Sequence, residues 1–274
     1  MRTIAHISDL HFGREDRRVA EALLEDLLSV APTVVAVSGD LTQRARTREF
    51  LAAREFLDRL PSPLVVVPGN HDVPLYNVLR RFALPLERYR RHITHDLSPI
   101  YRDDELAVLG LNTARSLTFK DGRISLDQIG HVRKTLCALE PTVFKVVVTH
   151  HQFIPPPGSP GRHEIVGRAR PALDALAECG VDLLLAGHLH MGYTGDVKAH
   201  HPSVARSIVV AQAGTAISTR GRGEPNSYNL IAVSDDAMEV RVRTFDAASG
   251  AGGFAESDAA RYERRDGQWQ PSAP

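Results

Sequence analysis

The chain has 274 residues, 43% hydrophobic and 24% charged, a globular composition with room for one large α/β domain or two small ones. Its 33 basic and 33 acidic residues cancel, so nothing global points to nucleic acid as the main partner, and none is expected. No apolar run is long enough to form a transmembrane segment and no leader pattern opens the chain, so a cytoplasmic protein is expected.

Short β-branched runs alternate with helical patterns, which predicts a layered α/β fold. The first strand is predicted over residues 3–8 and runs into Asp9-Leu10-His11. A helix over 19–30 follows, with Leu23, Leu24, Leu27 and Leu28 on one face. A strand over 34–38 leads into Gly39-Asp40, and a helix over 47–60 presents Phe50, Phe56 and Leu57. The strand over 64–67 leads into Gly69-Asn70-His71-Asp72. Strands over 106–111, 145–149 and 182–186 alternate with helices over 126–139 and 170–179, the latter stopped by Gly180. The fifth strand ends at His150-His151, and the sixth at Gly187-His188-Leu189-His190. Beyond Gly187 the helices cease. Strands over 207–211, 228–233 and 238–244 are predicted to form a second, more antiparallel sheet beside the first, within a single domain, with fraying at 271–274. Cys137 and Cys179 read as small buried apolar groups rather than a disulfide.

Five strands thus deliver Asp, His or Asn side chains just past their C-terminal ends, the edge on which open α/β sheets build sites. In Asp9-x-His11 and His188-x-His190, side chains at i and i+2 of an extended segment share a face and can reach one ion cluster. A set of Asp, His and Asn without thiolate suits manganese, iron, zinc or cobalt. Each pair alone is a weak signal; five in order are hard to obtain by chance.

This series, Asp9-x-His11, Gly39-Asp40, Gly69-Asn70-His71-Asp72, His150 and Gly187-His188-x-His190, resembles the calcineurin-like metallophosphoesterase superfamily. The resemblance implies a four-layer α/β/β/α sandwich of two mixed sheets flanked by helices, and two divalent metal ions. Asp9, His11 and His190 would hold one ion, Asn70, His150 and His188 the other, and Asp40 would bridge them. Within the superfamily, residues 7–13 and 39–42 resemble bacterial cyclic-nucleotide phosphodiesterases and glycerophosphodiesterases. A binuclear phosphodiesterase acting on small-molecule phosphate esters is expected, with hydroxide bridging the ions as nucleophile. Two divalent ions, two carboxylates and one hydroxide leave the site near ~+1, which favours an anionic phosphate. The alternatives are a hydrolase of UDP-2,3-diacylglucosamine type, a protein phosphatase and a non-catalytic scaffold on the same fold. A homo-oligomer stays open.

Among the remaining candidates, His71 follows a ligand directly and is expected to protonate the leaving oxygen or to stabilise charge developing on it, with Asp72 orienting its ring. His151 either lines the substrate pocket or packs under its loop. Arg44 and Arg46, and Arg220 and Arg222, either contact phosphate or are solvated. His6 reads as a hydrogen-bonded core residue. His92, His95, His131, His163, His200 and His201 read as surface or loop residues. Two segments could face the substrate: residues 73–101 as a cap carrying Leu75, Tyr76, Leu79, Phe82, Leu86 and Tyr89 among arginines 80, 81, 88, 90 and 91, and residues 152–166 with Pro155-Pro156-Pro157-Gly158.

Overall fold

The computed structural model describes residues 1–118, 120–157, 165–220, 223–248 and 252–272. Gly158, His163, Arg222 and the chain end at 273–274 lie outside the described residues. In chain order the elements are β1 (Arg2–Ile7), α1 (Arg17–Val30), β2 (Val34–Val37), α2 (Thr47–Leu57), β3 (Leu64–Val66), α3 (Val78–Ala83) and α4 (Glu87–His92). There follow β4 (Ile100–Arg102), β5 (Leu106–Gly110), α5 (Leu126–Leu136), β6 (Phe144–Val148), α6 (Ala169–Glu178), β7 (Leu183–Ala186), β8 (Tyr193–Asp196) and α7 (Val197–His200). The last strands are β9 (Val209–Gln212), β10 (Ser227–Val233), β11 (Ala237–Asp246), β12 (Gly253–Arg265) and β13 (Gln268–Pro271).

The strands form two mixed sheets, ordered β13-β12-β11-β10-β1-β2-β3 and β4-β5-β6-β7-β9-β8. Between them lies a core from both inner faces, including Ile4, Val34, Val65, Val108, Val146, Leu183 and Ile231. Outside the first sheet, α1 and α2 bury Leu23, Leu27, Phe50 and Leu57; outside the second, α5 and α6 bury Val132, Leu136, Leu173 and Leu176. The result is the expected four-layer sandwich. The helices start where local chemistry dictates. Asp16 accepts hydrogen bonds from Arg18 N and Val19 N at the head of α1, and Ser125 and Gln128 form a reciprocal capping box at the head of α5.

The sheet membership corrects the sequence expectation. The strands after Gly187 do not build a second sheet of their own. β9 joins β7 in parallel, whereas β10 pairs antiparallel with β1 and extends the first sheet through β11, β12 and β13. The six earlier strands are instead divided, β1–β3 from β5–β7, by the crossover after β3. Central strands such as β1, β2, β6 and β7 are buried on both faces, so no alternation in the sequence marks which sheet owns them.

The cysteine reading is corrected too. Cys137 and Cys179 form a disulfide with Cα atoms 4.2 Å apart. They cap the C-terminal ends of α5 and α6, and packing of these two helices side by side closes a sequence separation of 42.

The arginines of residues 73–101 are largely consumed by structure. Arg81, 1% exposed, donates to the carbonyls of Pro74, Ser116 and Thr118 at 3.1, 2.8 and 2.7 Å. Arg80 pairs with Glu87, and Arg88 donates to Ala45 O. Tyr89 is buried, its hydroxyl donating to Val66 O. Tyr76, Leu79 and Phe82 are exposed.

Candidate metal centre

The loops after β1, β2, β3, β6 and β7 meet where the two sheets come together at their parallel strands, and the seven predicted ligands converge there. The backbone is bent to achieve it. Of nine described non-glycine residues with positive φ, five are Asp9, His11, Asp40, His188 and His190. Each such conformation costs ~1–3 kcal/mol and persists only where the surroundings enforce it, typically at functional sites. Close approach is also needed. A Cβ at Gly69 would collide with Asp40 Oδ1, and one at Gly187 with Ser8 Oγ, so both positions require glycine.

Two clusters share one carboxylate. In the first, Asp9 Oδ1 lies 3.5 Å from His11 Nε2 and 3.6 Å from His190 Nε2. In the second, Asn70 Oδ1 lies 3.0 Å from both His150 Nε2 and His188 Nδ1. Asp40 stands between them, with Oδ2 3.7 Å from His11 Nε2 and Oδ1 3.4 Å from His150 Nε2. The far sides of these groups are tied down. Asp9 Oδ2 accepts from Ser8 Oγ and His188 N, His150 Nδ1 donates to Ser38 O, and His190 Nδ1 pairs with Thr215 Oγ1. Such partners fix ring orientation and aim the opposite atoms inward. Among the inward atoms, Asp9 Oδ1 and His11 Nε2 are buried without any hydrogen-bond partner. Buried polar atoms are rarely left so, and a shared cation is the partner that suits oxygen and imidazole donors together.

The protonation states agree. Burial penalises charge on Asp9 and Asp40, yet the surrounding histidines hold both carboxyls below their ordinary range. Burial lowers His190, and it lowers His188 to about 4, leaving neutral imidazoles with free lone pairs. His150 is the exception: burial opposes its charge, but Asp40 and Asp9 outweigh it and raise its pKa.

The other expected residues fall less uniformly. His71 donates from Nδ1 to Gln43 O at 2.9 Å, and its Nε2 accepts from Arg220 at 3.1 Å. Asp72 does not orient that ring. Its carboxylate accepts from Gly69 N, Leu41 N, Thr42 N and Thr42 Oγ1, stapling the β2 and β3 loops together. Burial and the charge of Asp40 push Asp72 up to about 6. His151 packs under its loop, 2% exposed, with Nδ1 on Thr113 Oγ1 and Nε2 donating to Lys120 O. Arg44 lies with its guanidinium 4.9 Å from the Tyr76 ring centre. His6 is a core residue bonded to Ser38 Oγ, lowered by burial to about 3.

Over the clusters opens a cavity of about 320 Å³, reached by Asp40, Asn70, His71, His188 and His190. Its outer walls are Lys120, Gln152, Pro156, Leu189 and Arg220. Leu75, Tyr76 and Phe82 do not line it; the loop around 152–156 does. Lys120 and Thr215 escaped the sequence reading, since neither stands beside a ligand in the chain and only tertiary folding brings them in.

Residues 2–192 match the family of calcineurin-like phosphoesterases, most of the chain and every one of the converging residues. The chain belongs to that family. Its members are metal-dependent phosphoester hydrolases, and the clusters just described are this member's candidate metal-binding residues. A stretch of 80 residues is 36% identical to the glycerophosphodiester phosphodiesterase GpdQ of Enterobacter lignolyticus, covering 25% of this chain and 29% of that protein. The chain therefore matches less than a third of that relative's length. Among solved structures, purple acid phosphatase PPD1 of yellow lupin superposes with a TM-score of 0.67 at 11% identity, over 95% of this chain and 53% of the phosphatase. Vps29 of Chaetomium thermophilum superposes at 0.50 with 15% identity, over 96% and 99% of the two chains. These likenesses bear on the fold.

Proposed function

We propose that the chain is a binuclear metal-dependent phosphodiesterase of small phosphodiesters, with cyclic nucleotides and glycerophosphodiesters as leading substrates. The observation that carries this reading is the position of Asp40, whose two oxygens face two separate ligand clusters. Asp9, His11 and His190 would hold one ion, and Asn70, His150 and His188 the other. When bound, two divalent ions supply Lewis acidity for the phosphate oxygens and acidify a water into a nucleophile near neutral pH. No protein nucleophile is needed in this scheme. Ser8, Ser38 and Thr215 hold the ligand side chains from behind, keeping their free atoms directed at the cavity. His71 stands at the cavity wall with Nε2 towards Arg220, placed to pass a proton to a leaving oxygen once that nitrogen has taken one up from water. Lys120 and Arg220 are the wall cations available to a phosphate. The matched stretch of GpdQ favours a diester over a monoester.

The test is hydrolysis by protein reconstituted separately with manganese, iron, zinc and cobalt. Substrates are phosphomonoesters, cyclic nucleotides, glycerophosphodiesters and UDP-linked sugars. Turnover highest on cyclic nucleotides or glycerophosphodiesters is expected. Preference for monoesters would overturn the diesterase reading, and full metal content without turnover would favour the scaffold reading.

A further inference from the structure

Beside the metal cavity lies a second cavity of about 320 Å³, lined by Arg14, Arg44, Arg46, Arg48 and Arg220 around Glu49. Three loops form it, and backbone bonds pin them together. Phe12 N donates to Leu41 O at 2.8 Å, Gln43 N to Phe12 O at 3.0 Å, and Thr219 N to Arg14 O at 2.9 Å. The only acid on its wall is already committed. Glu49, 3% exposed, accepts from Arg44 N and Arg46 N at the head of α2, with Arg46 Nε 3.8 Å away. Among the described residues, Arg14, Arg44, Arg48 and Arg220 have no carboxylate within 4.0 Å. Four such cations around one concavity repel one another, and an anion relieves that repulsion. The Tyr76 ring beneath Arg44 holds one guanidinium in place. Arg220 lines this cavity and the metal cavity alike, so the two adjoin.

We infer that this arginine cavity binds a second phosphate group of a substrate whose scissile phosphate lies over the metal centre. The inference rests on the phosphoesterase reading of that centre and, among its small phosphodiesters, favours those that carry a second, separate phosphate group. Guanidinium forks match phosphate oxygens in geometry as well as charge. The volume of about 320 Å³ suits one phosphorylated fragment, and the zero net charge of the chain favours such a molecule over a nucleic-acid strand.

The experiment is calorimetric titration of metal-loaded protein with adenosine 5′-monophosphate, adenosine 3′,5′-bisphosphate and a short oligothymidylate. In the wild type the bisphosphate should bind about tenfold or more tightly than the monophosphate, the equivalent of one charge-assisted contact. Replacing the exposed Arg14 and Arg48 together by Ser should abolish that advantage while shifting monophosphate affinity less than about threefold. Equal wild-type affinities, or an advantage that survives the double replacement, would overturn the inference. Arginine-dependent binding of the oligothymidylate without a bisphosphate advantage would overturn it in favour of a strand. Because the readout is binding, the two readings fail separately. A protein inactive on every ester but showing the bisphosphate advantage loses the hydrolase reading alone, and an active enzyme without the advantage loses only the arginine cavity.

Discussion

Asn70 Oδ1 stands 3.0 Å from His150 Nε2, while the carbonyl of Ser38 lies 2.8 Å from Nδ1 of the same ring. A carbonyl only accepts, so Nδ1 donates to it, and a neutral ring then turns a lone pair towards another lone pair. A cation between them resolves the conflict. Without a metal the cation is a proton, in keeping with the raised pKa that Asp40 and Asp9 give His150 against the effect of burial.

Metal content should therefore follow these side chains. Asp40→Ala is expected to bring bound metal after dialysis from about two ions per chain towards none, since Asp40 faces both clusters. Asn70→Ala should weaken one site only. Elemental analysis of dialysed protein reads both. Two tightly held ions in Asp40→Ala would remove it from the bridging position.

Asp182 is the counterpart in the scaffold. It is 1% exposed and accepts from Lys145 N, Arg206, Arg264 and Trp269 Nε1 at 3.0, 2.7, 2.8 and 3.1 Å. These bonds tie the start of β7 to β6, β12 and β13, fastening one sheet to the other. Asp182→Ala should lower the unfolding free energy by about 3 kcal/mol, the lower end for a broken buried pair because both arginines keep some solvent contact. Urea denaturation measures it, and a loss below ~1 kcal/mol would show that the sheets hold without this hub.

His6 predicts the shape of the acid limb. Burial lowers its folded pKa to about 3, against the ordinary histidine value of 6.5. Between these values the unfolded chain binds a proton that the folded one refuses, so this group's contribution is full above about 6.5 and is lost as pH falls towards 3. The loss is on the order of 1 kcal/mol per pH unit. His6→Gln should flatten the stability profile of the metal-loaded protein between pH 6 and 4 by about that slope, whatever its offset at neutral pH. Parallel profiles for the two proteins would mean that His6 is protonated in the fold.

The candidate ligand residues were legible as a set because metal chemistry restricts residue types and strand ends bring them to one edge. Asp9, His11, Asp40, Asn70, His150, His188 and His190 all converge, but Asp9, His11, His188 and His190 do so from left-handed backbone rather than from the extended segments the i, i+2 spacing suggested. What surrounds them was not legible. Asp72 carried a plausible role towards His71, but four donors from the β2 and β3 loops claim its carboxylate instead. Arg220 is more than two hundred residues from Arg14, yet a backbone bond from the neighbouring Thr219 places it beside that residue. The division of strands between sheets was hidden for a related reason. Strands buried on both faces read as continuous apolar runs, and pairing depends on a crossover path that composition does not encode. The disulfide likewise required knowing that α5 and α6 lie side by side.

His71 and Arg220 should separate proton transfer from binding. In the resting arrangement His71 donates from Nδ1 to Gln43 O, and Nε2 accepts from Arg220, so the ring is neutral and held from two sides. Nε2, the atom that faces the cavity wall, carries no proton while it accepts from Arg220, so to act as a general acid the ring must first take up a proton from water at Nε2, which requires Arg220 to yield its bond to substrate. His71→Ala should keep its metals and lose ~10²–10⁴-fold in kcat on esters with basic leaving oxygens, with far less loss on activated aryl esters. Arg220→Met should instead raise KM across the series and leave the leaving-group dependence as it was, if Arg220 binds phosphate rather than the departing oxygen as proposed. Rates over a graded set of leaving groups, with metal content measured on each variant, decide between the two roles. An equal loss across leaving groups in His71→Ala would make His71 a positioning residue, and a leaving-group effect in Arg220→Met would move the proton-transfer role to the pair.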